Sequence, residues 1–127
     1  MASDEELIRT LIARCAQLTD DRAHDKVAEL FAEDGRFIVG DTDATGRQEI
    51  STSLAAISAP DRRSKHLTAN SVIEVDGERA RGFTDLLFLR ATDEGLAPVA
   101  AGRYFDTFIK SNGQWFFTER RITFLER

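Results

Sequence analysis

One cysteine, Cys15, is all that the 127 residues contain, so an intrachain disulfide and a cysteine-based zinc site are excluded. No apolar run approaches the ~20 residues that span a bilayer. The opening Met-Ala-Ser-Asp-Glu-Glu is acidic where a secretory leader would be basic and then apolar. Acidic residues outnumber basic ones, 22 to 17, which argues against a phosphate backbone as partner, because nucleic-acid binders concentrate Lys and Arg on one face. Arg62, Arg63 and Lys65 form the one basic cluster, short enough to read as a solvated loop. There is no repeat, no low-complexity tract and no linker. What remains is a reduced, cytoplasmic protein with no nucleic-acid or membrane partner. Residues 1–127 fit one domain, large enough to bury about two thirds of its unfolded surface.

What is present divides into helices followed by strands. Residues 3–19 read as a helix, with Ser3 and Glu6 as a capping box and Leu7, Ile8, Leu11, Ile12, Cys15 and Leu18 on one side. A second, shorter helix runs through Val27, Leu30 and Phe31 and ends at Glu33-Asp34-Gly35, where glycine supplies a positive φ. A short strand, Arg36 to Val39, enters the turn Gly40-Asp41-Thr42-Asp43. Thr45 and Gln48 cap a third helix carrying Ile50, Leu54 and Ile57, closed by Ala59-Pro60. Four long strands follow: His66 to Val75, Arg79 to Ala91, Val99 to Lys110 and Gln114 to Leu125. The Asn112-Gly113 pair between the last two is the strongest hairpin signal, since a type I′ turn needs positive φ at both central residues.

Leu86-Leu87-Phe88-Leu89, Trp115-Phe116-Phe117 and Ile122-Thr123-Phe124-Leu125 are apolar on both faces of their strands. Such strands need cover on both sides, and three short helices supply it on one. The other face implies a second subunit, and so a homo-oligomer.

In this order the chain resembles the nuclear transport factor 2-like, SnoaL-like superfamily, from about Glu6 to Glu126. The segments that carry the resemblance are Glu29 to Gly35, His66-Leu67-Thr68-Ala69-Asn70, Ile73 to Gly77, Gly102 to Asp106, and Asn112-Gly113-Gln114-Trp115 through Arg121. The resemblance implies an α+β cone: three N-terminal helices packed in the concave face of a strongly curved antiparallel sheet. Within the superfamily the chain looks most like the branch of scytalone dehydratase and hexachlorocyclohexane dehydrochlorinase. An aspartate ending helix one and a histidine opening a strand form the catalytic dyad there, and these fall on Asp20 and His66. A pocket arginine falls on Arg120, while a pocket lysine falls on Cys15, so the cation expected to help a leaving halide is missing. The nearest-looking enzymes are trimers.

The resemblance implies a cofactor-independent lyase or isomerase, dehydratase-like, acting on a small hydrophobic molecule. Asp20 would hold one ring nitrogen of His66 while the other takes a proton from carbon. Arg120 would hold a substrate oxygen, Tyr104 would donate a phenol hydrogen bond, and Cys15 would line the pocket. Plainer readings stand beside these. Asp20 or Asp21 suits the N-cap of helix two, Arg120 a surface or intersubunit ion pair, Tyr104 a packed ring, and Cys15 a core position. His24, His66 and Asp20 match no ligand motif in their spacing, so no metal and no cofactor is expected. A non-catalytic binder of a hydrophobic ligand, or an oligomeric interaction domain, is the alternative function.

Overall fold

The structure is a computed structural model that describes residues 1–58 and 63–126. The expected stop at Ala59-Pro60, part of the Asp61 to Ser64 loop, and Arg62 lie outside the described residues. Three helices, α1 (Asp4–Asp20), α2 (His24–Ala28) and α3 (Arg47–Ile57), accompany six strands. The strands are β1 (Phe31–Val39), β2 (Thr42–Thr45), β3 (Ser64–Asp76), β4 (Arg79–Thr92), β5 (Gly95–Ser111) and β6 (Gln114–Phe124). They form one curved sheet in the order β2-β1-β6-β5-β4-β3. The α+β architecture with helices against a curved sheet is as expected.

Helix α1 begins as its sequence implies, with the Ser3 hydroxyl accepting from the Glu6 N–H at 3.2 Å. Its other end has no glycine, yet it closes in a Schellman arrangement: the Ala23 N–H reaches the Leu18 carbonyl and the Arg22 N–H reaches that of Thr19. Arg22 takes the left-handed conformation, φ 59°, that glycine normally occupies there. Ile8, Ile12, Val27, Phe31, Phe108 and Phe117 build the main core between the helices and the sheet.

Several expectations are corrected. Helix two stops at Ala28, because the Leu30 carbonyl accepts from the Phe117 N–H and the Phe31 ring packs on Phe117 at 5.1 Å. Long-range pairing thus overrides helical spacing, and Glu33-Asp34-Gly35 lies inside β1. Gly35 does not adopt a positive φ; a Cβ there would stand 2.9 Å from the Ala32 carbonyl and from the Phe31 Cβ. Thr42 and Asp43 open β2, a strand the sequence reading missed. The N-cap of α3 is Gly46, with Glu49 rather than Thr45 supplying the local side-chain bond. The sheet is antiparallel except between β1 and β6, which run parallel. That direction depends on a partner some 80 residues away, which no local pattern encodes.

The curvature has an identifiable cause. Register shifts interrupt β1 against β6, β3 against β4, β4 against β5 and β5 against β6, and each bulge bends and twists its strand. Asn70, at φ 55°, makes the break in β3. The type I′ turn at Asn112-Gly113 forms as expected, with φ 52° and 78°. On the convex face Leu67, Leu87 and Phe105 are exposed while Leu86, Tyr104 and Phe108 are buried on the concave one, so the central strands are apolar on both sides.

Gly35→Ala is expected to lower stability by about 1–3 kcal/mol through overpacking against Ala32 and Phe31. Urea unfolding measures this, and an unchanged midpoint would contradict the close approach.

Candidate functional site

Between the helices and the concave face lies a cavity of about 310 Å³, within the range of small-molecule sites. Its wall is mainly apolar, from Phe31, Phe37, Leu54, Leu86, Val99 and Ile122 among others. His66, Tyr104, Arg120 and Cys15 also line it.

Asp20 and His66 meet. Asp20 is the last residue of α1, and His66 points inward from β3 by strand alternation, between the exposed Lys65 and Leu67. The His66 Nδ1 lies 2.6 Å from the Asp20 Oδ1, and the backbone N–H of His66 donates to both carboxylate oxygens at 3.0 Å. A carboxylate accepts only, so Nδ1 carries the hydrogen, and in the neutral ring Nε2 is the atom with the free lone pair. The imidazole packs against Phe88, its cross-strand partner, at 4.6 Å between ring centres. Asp20 does not cap α2, whose N-cap is Ala23 with no side-chain bond.

A second polar group sits deeper. Tyr104, Asp106 and Phe108 alternate inward along β5, and Asp106 is the cross-strand partner of Arg120 on β6. The Arg120 Nε donates to the Asp106 Oδ1 at 3.1 Å, and its Nη1 donates to the Cys15 Sγ at 3.1 Å. Its guanidinium stacks on the Tyr104 ring at 3.5 Å. Arg120 is 2 % exposed, so the surface ion pair considered from sequence is replaced by a buried one. One oxygen of Asp106 and the Nη2 of Arg120 have no partner among the described residues.

Burial sets the protonation behaviour here. It pushes the Asp106 carboxyl up to about 6, with the neighbouring Arg120 charge opposing it. It pushes the Tyr104 phenol to about 12, again against Arg120. The Cys15 thiol is raised by burial too, which leaves it un-ionised and a poor nucleophile. For Arg120 burial acts downward, but Asp106, Cys15 and Tyr104 together outweigh it and the guanidinium stays charged.

Sequence reading took the phenylalanines as core or pocket wall without singling out Phe88, and missed Arg90; both line the cavity from β4. Strand alternation from His66's partner would have placed both on the inner face, but the continuous run Leu86 to Leu89 hides the phase. Trp115 is core, its indole N–H held by Asp4 at 3.0 Å, and is not among the cavity residues. Among the described residues no group of three His, Cys, Asp or Glu is placed to hold a metal, and no helix is long and apolar enough to cross a membrane.

Helices packed into a curled sheet around a mainly apolar cavity form the nuclear transport factor 2-like architecture. The chain belongs to the SnoaL-like domain family, whose family model matches residues 1–121. Similar solved structures include a protein of unknown function from Mycobacterium tuberculosis, at 29% identity over 94% of this chain and 70% of that one, TM-score 0.86. A nuclear transport factor 2-like protein with a cystatin-like fold from Novosphingobium aromaticivorans is 26% identical over 97% and 82%, TM-score 0.86. A provisionally assigned scytalone dehydratase from the same organism is 25% identical over 97% and 85%, TM-score 0.84. Among curated proteins none matches.

The Asp106 carboxyl yields a pH prediction. Its folded value, about 6, lies above the unfolded 3.8, so its contribution to stability is fully present below pH ~4 and is lost as pH rises through about 6. Stability of the wild type relative to Asp106→Asn should therefore fall between pH 4 and pH 7, by on the order of 3 kcal/mol. Urea titrations of both proteins across that range check the sign, and a relative rise would mean that Arg120 overcomes burial.

Proposed function

We propose that the chain is a cofactor-independent lyase or isomerase that removes a proton from carbon in a small hydrophobic substrate. The observation that carries this reading is the 2.6 Å contact from the Asp20 carboxylate to the His66 Nδ1, in a residue that also lines the apolar cavity. Asp20 fixes the tautomer and favours the imidazolium that forms; the Nε2 of His66 takes the proton. Arg120 lines the cavity wall as a cation suited to a carbonyl or developing enolate oxygen. Tyr104 supports the Arg120 guanidinium through its ring face. In a dehydration the leaving hydroxyl takes that proton from His66 and departs as water; in an isomerisation His66 returns it to another carbon. Cys15 acts as a packing and hydrogen-bond partner of Arg120, not as a nucleophile.

The scytalone dehydratase assignment of one similar structure supports the reaction class. Dehydratase-type elimination fits better than loss of halide, because the position of the expected lysine is Cys15. The subunit is proposed to assemble as a homo-oligomer through the convex face, where Leu67, Leu87 and Phe105 lie exposed on adjacent strands.

A screen of aromatic polyketide-like, terpenoid and halogenated ring compounds should give at least one that is consumed. His66→Ala should then lose about 10²–10⁴-fold in turnover with the fold intact; retained turnover rejects the mechanism. Ligand binding without turnover anywhere in the screen would favour the plain binder. In ¹⁵N spectra the His66 ring should show the Nδ1–H tautomer, and Asp20→Asn should erase that preference. For assembly, light scattering of the purified protein should give a multiple of 14.2 kDa, and Leu87→Glu with Phe105→Glu should give the monomer mass.

A further inference from the structure

Beside the main cavity is a smaller hollow of about 120 Å³. It shares His66, Phe88, Arg90, Thr19, Leu54 and Ile57 with the cavity, so the two adjoin. Its remaining wall is polar: Arg22, Ser58 and Ser64 face it. Two arginines therefore flank a space that adjoins the imidazole.

Neither Arg22 nor Arg90 forms an ion pair among the described residues, whereas Arg36, Arg81, Arg103 and Arg120 all do. The Arg90 Nε is buried and unpartnered, and its guanidinium carbon stands 5.6 Å from the Phe88 ring centre, the same ring that packs on His66. An N–H withdrawn from water without an acceptor is costly unless a ligand supplies one. Arg22 stands at this rim just beyond α1 and itself takes the left-handed conformation, in which glycine would be less strained. The place has been filled by a cation at a conformational cost.

From this geometry we infer that the hollow is an anion subsite and that the ligand of the protein is an amphipathic carboxylate. Its apolar body occupies the main cavity, and its carboxylate meets the guanidinium groups of Arg90 and Arg22, with Ser64 in the same wall. Planar guanidinium forks suit a carboxylate in paired N–H contacts. The subsite places the acid end of the ligand next to His66 and so fixes which carbon of the body comes under Nε2. The inference rests on the cavity being the ligand site proposed above, but not on turnover there.

The test uses 2-naphthoate and its neutral counterpart 2-naphthamide, measured by calorimetry on the full chain. The carboxylate should bind roughly tenfold or more tightly than the amide, with a preference that weakens in high salt. Arg90→Gln and Arg22→Asn should each bring the carboxylate-to-amide affinity ratio most of the way to one. His66→Ala should keep it, which separates this subsite from the catalytic proposal. Arg22→Gly should raise the urea midpoint while losing the carboxylate preference, an outcome that a purely structural Arg22 would not give. Equal affinities in the wild type, a preference that survives the double Arg22→Asn, Arg90→Gln variant, or no binding of either compound at millimolar concentration would overturn the inference.

Discussion

Everything at the candidate site hangs on the join between the end of α1 and the start of β3. A carboxylate in the last turn of a helix faces the negative end of the macrodipole, and α1 has no basic residue in that turn to offset it. His66 compensates with two donors, its backbone N–H and its ring. The backbone bonds tie the helix to the sheet, while the ring bond orients the imidazole over the cavity. One residue pair thus sets both the docking of α1 and the tautomer of the base, so position and chemistry are not separable there.

The second polar group obeys a different logic. Asp106 and Arg120 are both nearly fully buried, and their pair leaves one oxygen and one N–H unused. For stability alone, an apolar pair of similar volume would typically do as well or better. Stacking on Tyr104 and Phe117 holds the guanidinium in place without neutralising it. The result is a rigid cation in a mostly hydrocarbon wall.

How much of this was legible in the chain depended on the range of the interaction. Ser3 capping α1 and the Asn112-Gly113 turn are local and were readable directly. Asp20 and His66 stood out only through the resemblance, because 46 residues separate them and each has a plausible local role. Leu30 and Phe31 misled, since their helical spacing competes with a partner strand at Phe117 that wins by pairing and ring contact. Gly35 looked like a cap and serves instead as a close approach. The ion pair of Arg120 was foreseen in kind but not in depth, because burial of an arginine depends on what the helices cover.

The parallel pairing of β1 with β6 has a consequence for how the molecule assembles. Phe31 and Phe37 find their sheet neighbours at Phe117 and Arg120, near the far end of the chain. During synthesis β1 and β2 must wait, with Phe31 uncovered, until the last strand leaves the ribosome. Contacts of such long sequence separation slow folding and prolong exposure to aggregation. A chain lacking β6 would leave Phe31 without its sheet neighbour and ring contact at Phe117.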